Sequence, residues 1–536
     1  MSRVRVAARV AGLMLLVDIS LSANESVPTI VDAARRGDLE AARALIRAHS
    51  NINQATADGT TALHWAIRGN NLELAELLVK AGANVQVQNR YGIPPLTFAA
   101  ENGSVAAMDL LLKAGADPKT VTAGGEPVLM TAARTGNVEA VQRLIDAGAD
   151  VNAREPWFGE NALMWAAGED HAAVIRSLSS AGADVNSRST VLTPPVLEFP
   201  RSGGPNSPFP RGGWTPLMYS ARQGAIDAAR ALVDLKADLN MVALPQTDVP
   251  LKPEDLEAAG RGVGTTALVF AVINTHYDLA AMLVDRGADP NVADIAGMAA
   301  LYAAVDMNSL QWVQGRPAPI LRDQRDGVDL VKLLLAKGAN PNARLRKAPL
   351  KRHHDAGSTM NFNEGTTPLM RAARTNDVAV MRALLDAGAD PFLTLPDGTT
   401  TLMIAAGQGY GGLRGEGIRI VVPTEAGAVE AVSLLLARGL DVNAMSATGN
   451  TALHGAVTRG DAVVRLLAER GAALVRNNAG FSPLDVALGA GGRGGRGGVV
   501  RESTAALLRQ LYPDATPSDP PPARPRNALP RPDSAQ

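Results

Sequence analysis

The stretch GTTALHWAIRGNNLELAELLVKAGANVQVQNRYG, Gly59 to Gly92, decides how the chain is read. Leu63 stands four residues after Gly59. The same step recurs at Leu96, Leu129, Leu163, Leu217, Leu268, Leu301, Leu369, Leu402, Leu453 and Leu484. Several consecutive steps are 33 or 34 residues apart. Such a period means a stack of small modules, none able to bury its apolar face alone. A stack offers a long surface and no enclosed reaction chamber, so the pattern speaks for binding before catalysis.

Within this stretch, Thr61-Ala62-Leu63-His64 is expected to open a helix. The Thr hydroxyl can accept from free N–H groups, and Leu63 begins an apolar stripe continued by Ala66 and Ile67. Gly69-Asn70-Asn71 breaks the helix. Leu72 to Lys80 forms a second one, with Leu74, Leu77 and Leu78 on a single face. Gly82 is expected in the left-handed conformation that terminates helices. Val85 to Tyr91 then extends as a finger to Gly92, where the cycle restarts.

This helix–turn–helix–hairpin module resembles the ankyrin repeat. The residues carrying the resemblance are TALH at 61–64 and 451–454, TPL at 215–217 and 367–369, and AGAD at 114–117, 147–150, 181–184 and 387–390. It runs from about Val27 to about Tyr512 and implies an all-α ankyrin-repeat solenoid of about 12 units with inserted loops. The first unit, Val27 to Asp58, lacks the TPL box. In the family, His after the leucine joins a hydrogen-bond network between repeats. Here only His64 and His454 hold that place, and Met130, Met164, Met218, Met370 and Met403 are expected to exchange polar tethering for pliable packing. His49 and Lys236 stand where the helix-ending glycine belongs. Those turns are expected to be strained or rearranged, at a cost of roughly 1 kcal/mol each. The resemblance further implies a non-enzymatic, often monomeric scaffold that binds proteins through its concave face, fingers and insertions.

Composition agrees with close-packed short helices: 46% of residues are hydrophobic but only 4% aromatic, leaving Ala, Leu and Gly as the main apolar content. With 52 basic and 53 acidic residues the net charge is −1, so no global field draws in nucleic acid or an anionic membrane. No cysteine is present, which removes disulfides, thiolate metal sites and Cys nucleophiles. Residues 1–23 read as a bacterial secretory signal. Arg3, Arg5 and Arg9 precede the apolar run Val10 to Val17, and small residues follow towards Ser22 or Ala23, although Asp18 and Leu21 depart from the pattern. The expected organisation is that signal, an array over 27–512, and a Pro-rich disordered tail over 513–536. The expected location is periplasmic or secreted, with the cytoplasm as the alternative. No later run has the 18 or so apolar residues that a membrane span needs.

Insertions at 189–212, 241–263 and 344–364 lengthen fingers, and those at about 306–326, 407–427 and 489–499 separate the helices of a repeat. The stretch RLRKAPLKRHH, 344–354, gathers Arg344, Arg346, Lys347, Lys351 and Arg352. It is balanced between a grip on an acidic protein and a solvated loop. Without interleaved aromatics it does not suit nucleic acid. Better anchors are the finger aromatics: Trp157 and Phe158 before Gly159, Tyr91 before Gly92, and Trp214 after Gly213. Trp65 and Trp165, on first helices, are expected to pack.

No cofactor, metal or catalytic site is expected. Gly407 to Gly412 matches GxGxxG but follows a helix rather than a strand. GGRGGRGG at 491–498 holds only two arginines and suits a linker. His353 with Asp355 or Glu364 is the one conceivable acid–base arrangement, and His353-His354 with Asp355 make a poor preorganised metal site in a loop.

Overall fold

The computed structural model describes residues 29–191, 212–244, 264–308, 323–347, 364–408, 424–490 and 499–517. Among them are 24 helices and no strand. The proposed signal, most of the tail, the centres of the insertions, Lys351, Arg352, His353, His354 and Asp355 lie outside the described residues. No described helix is long and apolar enough to cross a membrane.

Two compact bodies divide the chain: Met1–Gly124 with Asp146–Gly148, and Gly125–Ile145 with Ala149–Gln536. The first holds the helix pairs Ile30–Arg36 and Leu39–Arg47, Ala62–Arg68 and Leu72–Lys80, and Pro95–Glu101 and Val105–Lys113. Each first helix packs on the first helix of the next pair, and each second helix on the next second. The second body repeats the scheme up to the pair Pro483–Ala487 and Glu502–Leu511. Fingers between pairs carry single antiparallel bridges, such as Ala55 to Thr61 and Arg154 to Asn161.

The template stretch folds as its pattern predicts, with one change. Thr61 is the N-cap of Ala62–Arg68, and Asn71 caps Leu72–Lys80 by accepting from the Leu74 N–H at 3.1 Å. Leu74 and Leu78 are fully buried, but the third buried position is Ala75, and Leu77 is only half-buried. A small side chain is needed there because neighbouring helices approach closely.

Repeats are joined by a ladder of asparagine amides. In most fingers, soon after the turn that ends the second helix, one Asp or Asn accepts from the N–H two residues on, as Asn51 does from Asn53 at 3.0 Å and Asp184 from Asn186 at 2.9 Å. The second residue is usually Asn, and its amide bridges to the neighbouring repeat. Asn152 donates to the Gly182 carbonyl at 3.1 Å and accepts from the Asp184 N–H at 3.1 Å. Asn53, Asn291, Asn342 and Asn443 do the same with Gly82 and Asn84, Gly338 and Asn340, Gly388 and Asp390, and Gly471 and Ala473. Each rung satisfies an orphan carbonyl at the end of a helix.

His64 supplies a second tether. Its Nδ1 accepts from the Thr61 N–H at 3.1 Å, so the proton sits on Nε2, which donates to the Ile93 carbonyl of the next repeat at 3.0 Å. His454 repeats this with Thr451 and Phe481. Met218 and Met403 take over only the local half, their thioethers accepting from the Thr215 and Thr400 N–H groups at 3.4 and 3.5 Å.

The two turns lacking glycine are strained, not rearranged. His49 and Lys236 hold φ of 56° and 68°, beside 89° at Gly82. Lys236 and Ala237 donate to Val233 and Leu232 at 3.0 and 2.9 Å, matching Gly82 and Ala83 onto Val79 and Leu78 at 3.0 Å each. A Cβ at Gly82 would meet nothing within 4 Å, so glycine is required there by backbone angle alone. Lys236→Gly is therefore expected to stabilise the protein by about 1 kcal/mol, read as a rise in the urea unfolding midpoint at unchanged slope.

Candidate protein-binding surface

The finger Arg154–Gly159 is one residue longer than that at Gln88–Gly92 and raises two aromatics into solvent. Trp157 is 67% exposed and Phe158 51%. Beneath them the Glu155 carboxylate is buried and accepts from the N–H groups of Trp157, Phe158 and Glu160 at 2.7, 2.7 and 2.9 Å. Arg154 ties the base by donating to the Gly159 carbonyl at 3.0 Å and to that of Arg188. The Thr190 N–H closes on the Phe158 carbonyl at 2.6 Å. One buried carboxylate thus fixes a loop whose side chains face water.

The other predicted anchors sit differently. Tyr91 is 38% exposed and lies under the Arg90 guanidinium, 4.9 Å from its ring centre. Trp214 is half-buried rather than projecting. It packs edge-on against Tyr219 and Phe270 at 5.5 and 5.2 Å, with Arg222 over its ring at 5.0 Å. Nearby, Glu160 accepts from Trp165 Nε1–H at 2.7 Å and from the Tyr219 hydroxyl at 2.5 Å. Burial, followed by the Glu160 charge, pushes the Tyr219 hydroxyl far above the usual tyrosine range. Arg134 covers Trp165 at 5.1 Å. Trp65 and Trp165 are half-buried packing residues on their first helices, each with arginine above.

The positions two residues after the box leucine are Trp65, Phe98, Trp165, Tyr219 and Phe270 in five of the repeats. That recurrence was open to a sequence reading, and the glutamates and arginines that organise the rings were not.

The family model for ankyrin repeats, in sets of three copies, matches residues 30–122, 114–189, 324–414 and 420–497. Single-repeat ankyrin models match 212–241 and 263–295. Together they cover well over half of the sequence. The chain belongs to the ankyrin-repeat family. The Neurogenic locus Notch protein of Drosophila melanogaster is 30% identical over 203 residues, which is 37% of this chain but only 6% of that protein. The crystal structure of the human ASB11 ankyrin repeat domain is similar at 24% identity and a TM-score of 0.34. That likeness covers 45% of this chain and 89% of that one.

One ankyrin finger carries a buried charge. Asp294 is 3% exposed, and its Oδ1 accepts from the N–H groups of Ala296 and Met298 at 2.9 Å each. Its Oδ2 is buried without a hydrogen-bond partner. Asn89 and Asn477 hold the corresponding place in other repeats and accept the same pair of N–H groups. The described start of the basic stretch lies alongside. Arg346 donates its N–H to the Ala296 carbonyl at 2.8 Å, and Leu345 is buried while Arg344 and Arg346 are exposed.

Burial pushes the Asp294 carboxyl up from 3.8 to about 6, against the opposing pull of the two backbone N–H groups and of Lys347 and Arg346. A carboxyl raised in the folded state favours folding while protonated. Its contribution is complete below the unfolded pKa of 3.8 and is lost as pH rises through about 6. Asp294→Asn is expected to raise the melting temperature above pH 6, by at most about 3 kcal/mol of stability, and to leave it nearly unchanged near pH 4. Melting curves of both proteins across that range check the sign.

Proposed function

We propose that this ankyrin-repeat chain is a non-enzymatic scaffold that holds another protein, with Trp157 and Phe158 as its principal anchors. The supporting observation is the pairing of exposed aromatics with a buried carboxylate that fixes their backbone. Large rigid side chains dominate interface energetics, and an already ordered loop spares most of the entropy of ordering it on binding. Tyr91, Trp214 and the basic residues Arg346, Lys347, Lys351 and Arg352 are secondary contacts in this reading, the last four suited to an acidic partner surface. We propose an exported location on the strength of Arg3, Arg5, Arg9 and the apolar run after them.

The test begins with affinity capture on residues 24–536 in native extract and continues with calorimetry on the retained protein. Trp157→Ala with Phe158→Ala is expected to weaken that complex about 30-fold or more. Unchanged affinity would make the finger a spacer and end this reading. A reporter fused to residues 1–30 is expected to be translocated, and retention in the cytoplasm would contradict the exported location.

A further inference from the structure

The first body carries a second feature that the finger does not use. On its first helices, the Arg35 and Arg68 guanidiniums both lie over the Trp65 ring, 5.5 and 5.6 Å from its centre. Arg68 also lies over Phe98, at 5.7 Å. Arg36 ends its helix at the position that Arg68 holds one repeat later. All three arginines are exposed, and both aromatic rings are half-buried.

Ion pairing differs between the two layers of this body, although Asp32 on the first helix is held below the usual carboxylate range by the Thr29 hydrogen bonds and by the nearby charges of Arg36 and Arg35. On the second helices, Arg43 is paired with Glu40 and Glu73 at 2.9 Å each, and Lys80 with Glu76 at 3.6 Å. On the first helices, Arg35, Arg36 and Arg68 form no ion pair among the described residues. An aromatic face holds a guanidinium flat and leaves its N–H edge free, and that edge matches a carboxylate with two parallel hydrogen bonds.

We infer that Arg35, Arg36 and Arg68, set on Trp65 and Phe98, form a docking site for an acidic peptide segment of a partner protein. This rests on the scaffold reading above and names the partner's chemistry at a different place on it. Carboxylates engage the guanidinium edges, and apolar side chains between them cover the exposed parts of the two rings. Charge complementarity selects the ligand. A net charge of −1 over the chain gives no long-range pull on a polyanion, so recognition is local and suits spaced carboxylates rather than a phosphate backbone.

The probe is a fluorescein-labelled decapeptide alternating Glu and Phe, titrated into the full chain and followed by anisotropy. Binding is expected to weaken with added salt, to weaken about tenfold or more when Gln replaces every Glu, and to fall similarly in Arg35→Ala with Arg68→Ala. Both arginines are exposed, and Arg35→Gln with Arg68→Gln, which keeps long side chains without the charge, locates the loss at this site if the alanine variant fails to fold. Equal binding of the Glu and Gln peptides, no binding of the Glu peptide, or tighter binding of a single-stranded 20-mer DNA would each overturn the site. The Trp157→Ala, Phe158→Ala variant is expected to bind the peptide as the parent does. Full retention of the captured partner by that variant, with peptide binding intact, would therefore sink the finger and spare this site, whereas failure of the parent to bind the Glu peptide, with the partner lost in that variant, would do the opposite.

Discussion

At Asn53, Asn152, Asn291, Asn342 and Asn443 an amide group with a donor on one side and an acceptor on the other holds a repeat to its neighbour. A single helix pair of this chain is too short to bury its apolar face or to satisfy the carbonyls at its own helix ends. The asparagine two residues after the finger Asp meets both needs of the next turn at once, taking its N–H and giving to its glycine carbonyl. Asn152 does so between Gly182 and Asp184, and Asn342 between Gly388 and Asp390. Leu74, Ala75 and Leu78 then supply the apolar contact that the rung keeps in register.

The rung explains why insertions are tolerated. Where repeats follow directly, the bonded pairs are 30 to 32 residues apart, as at Asn443 with Ala473, Asn53 with Asn84 and Asn152 with Asp184. Across an insertion the spacing is 52 at Asn186 with Asp238 and 48 at Asn342 with Asp390, yet the distances stay at 2.9 and 2.8 Å. The extra length leaves the stacking geometry untouched, because loop closure costs little per added residue. Fingers can therefore vary freely while their bases remain fixed, and Glu155 shows how far one finger has been specialised.

Helix boundaries, the left-handed glycine and the paired arrangement of helices were legible in the sequence, since each follows from local pattern. Leu72 to Lys80 is the clearest case, read from the leucine spacing and found with those limits. What could not be read depends on the neighbouring repeat. The Asn in GADVN looks like a turn residue until its partner one repeat away is known. Arg35 lies where the next repeat has the buried Ile67, so nothing local says that it covers Trp65. His171, whose Nε2–H reaches the Arg134 carbonyl at 3.0 Å, is silent for the same reason. In the surface, exposed aromatics before a glycine pointed to the finger, but the buried carboxylate fixing it was one Glu among many.

Hydrogen exchange of backbone amides tests the ladder most directly. The N–H groups of Asp184, Asp238, Asp289, Asn340 and Asp390 are exposed finger positions, and each is accepted by an asparagine of the preceding repeat. Slow exchange at all five, equally at those that follow an insertion, is the result expected of a shared rung. Rapid exchange at Asp238, Asp289, Asn340 and Asp390, at the rate of an open loop, would show that the repeats are not joined this way and would contradict the account.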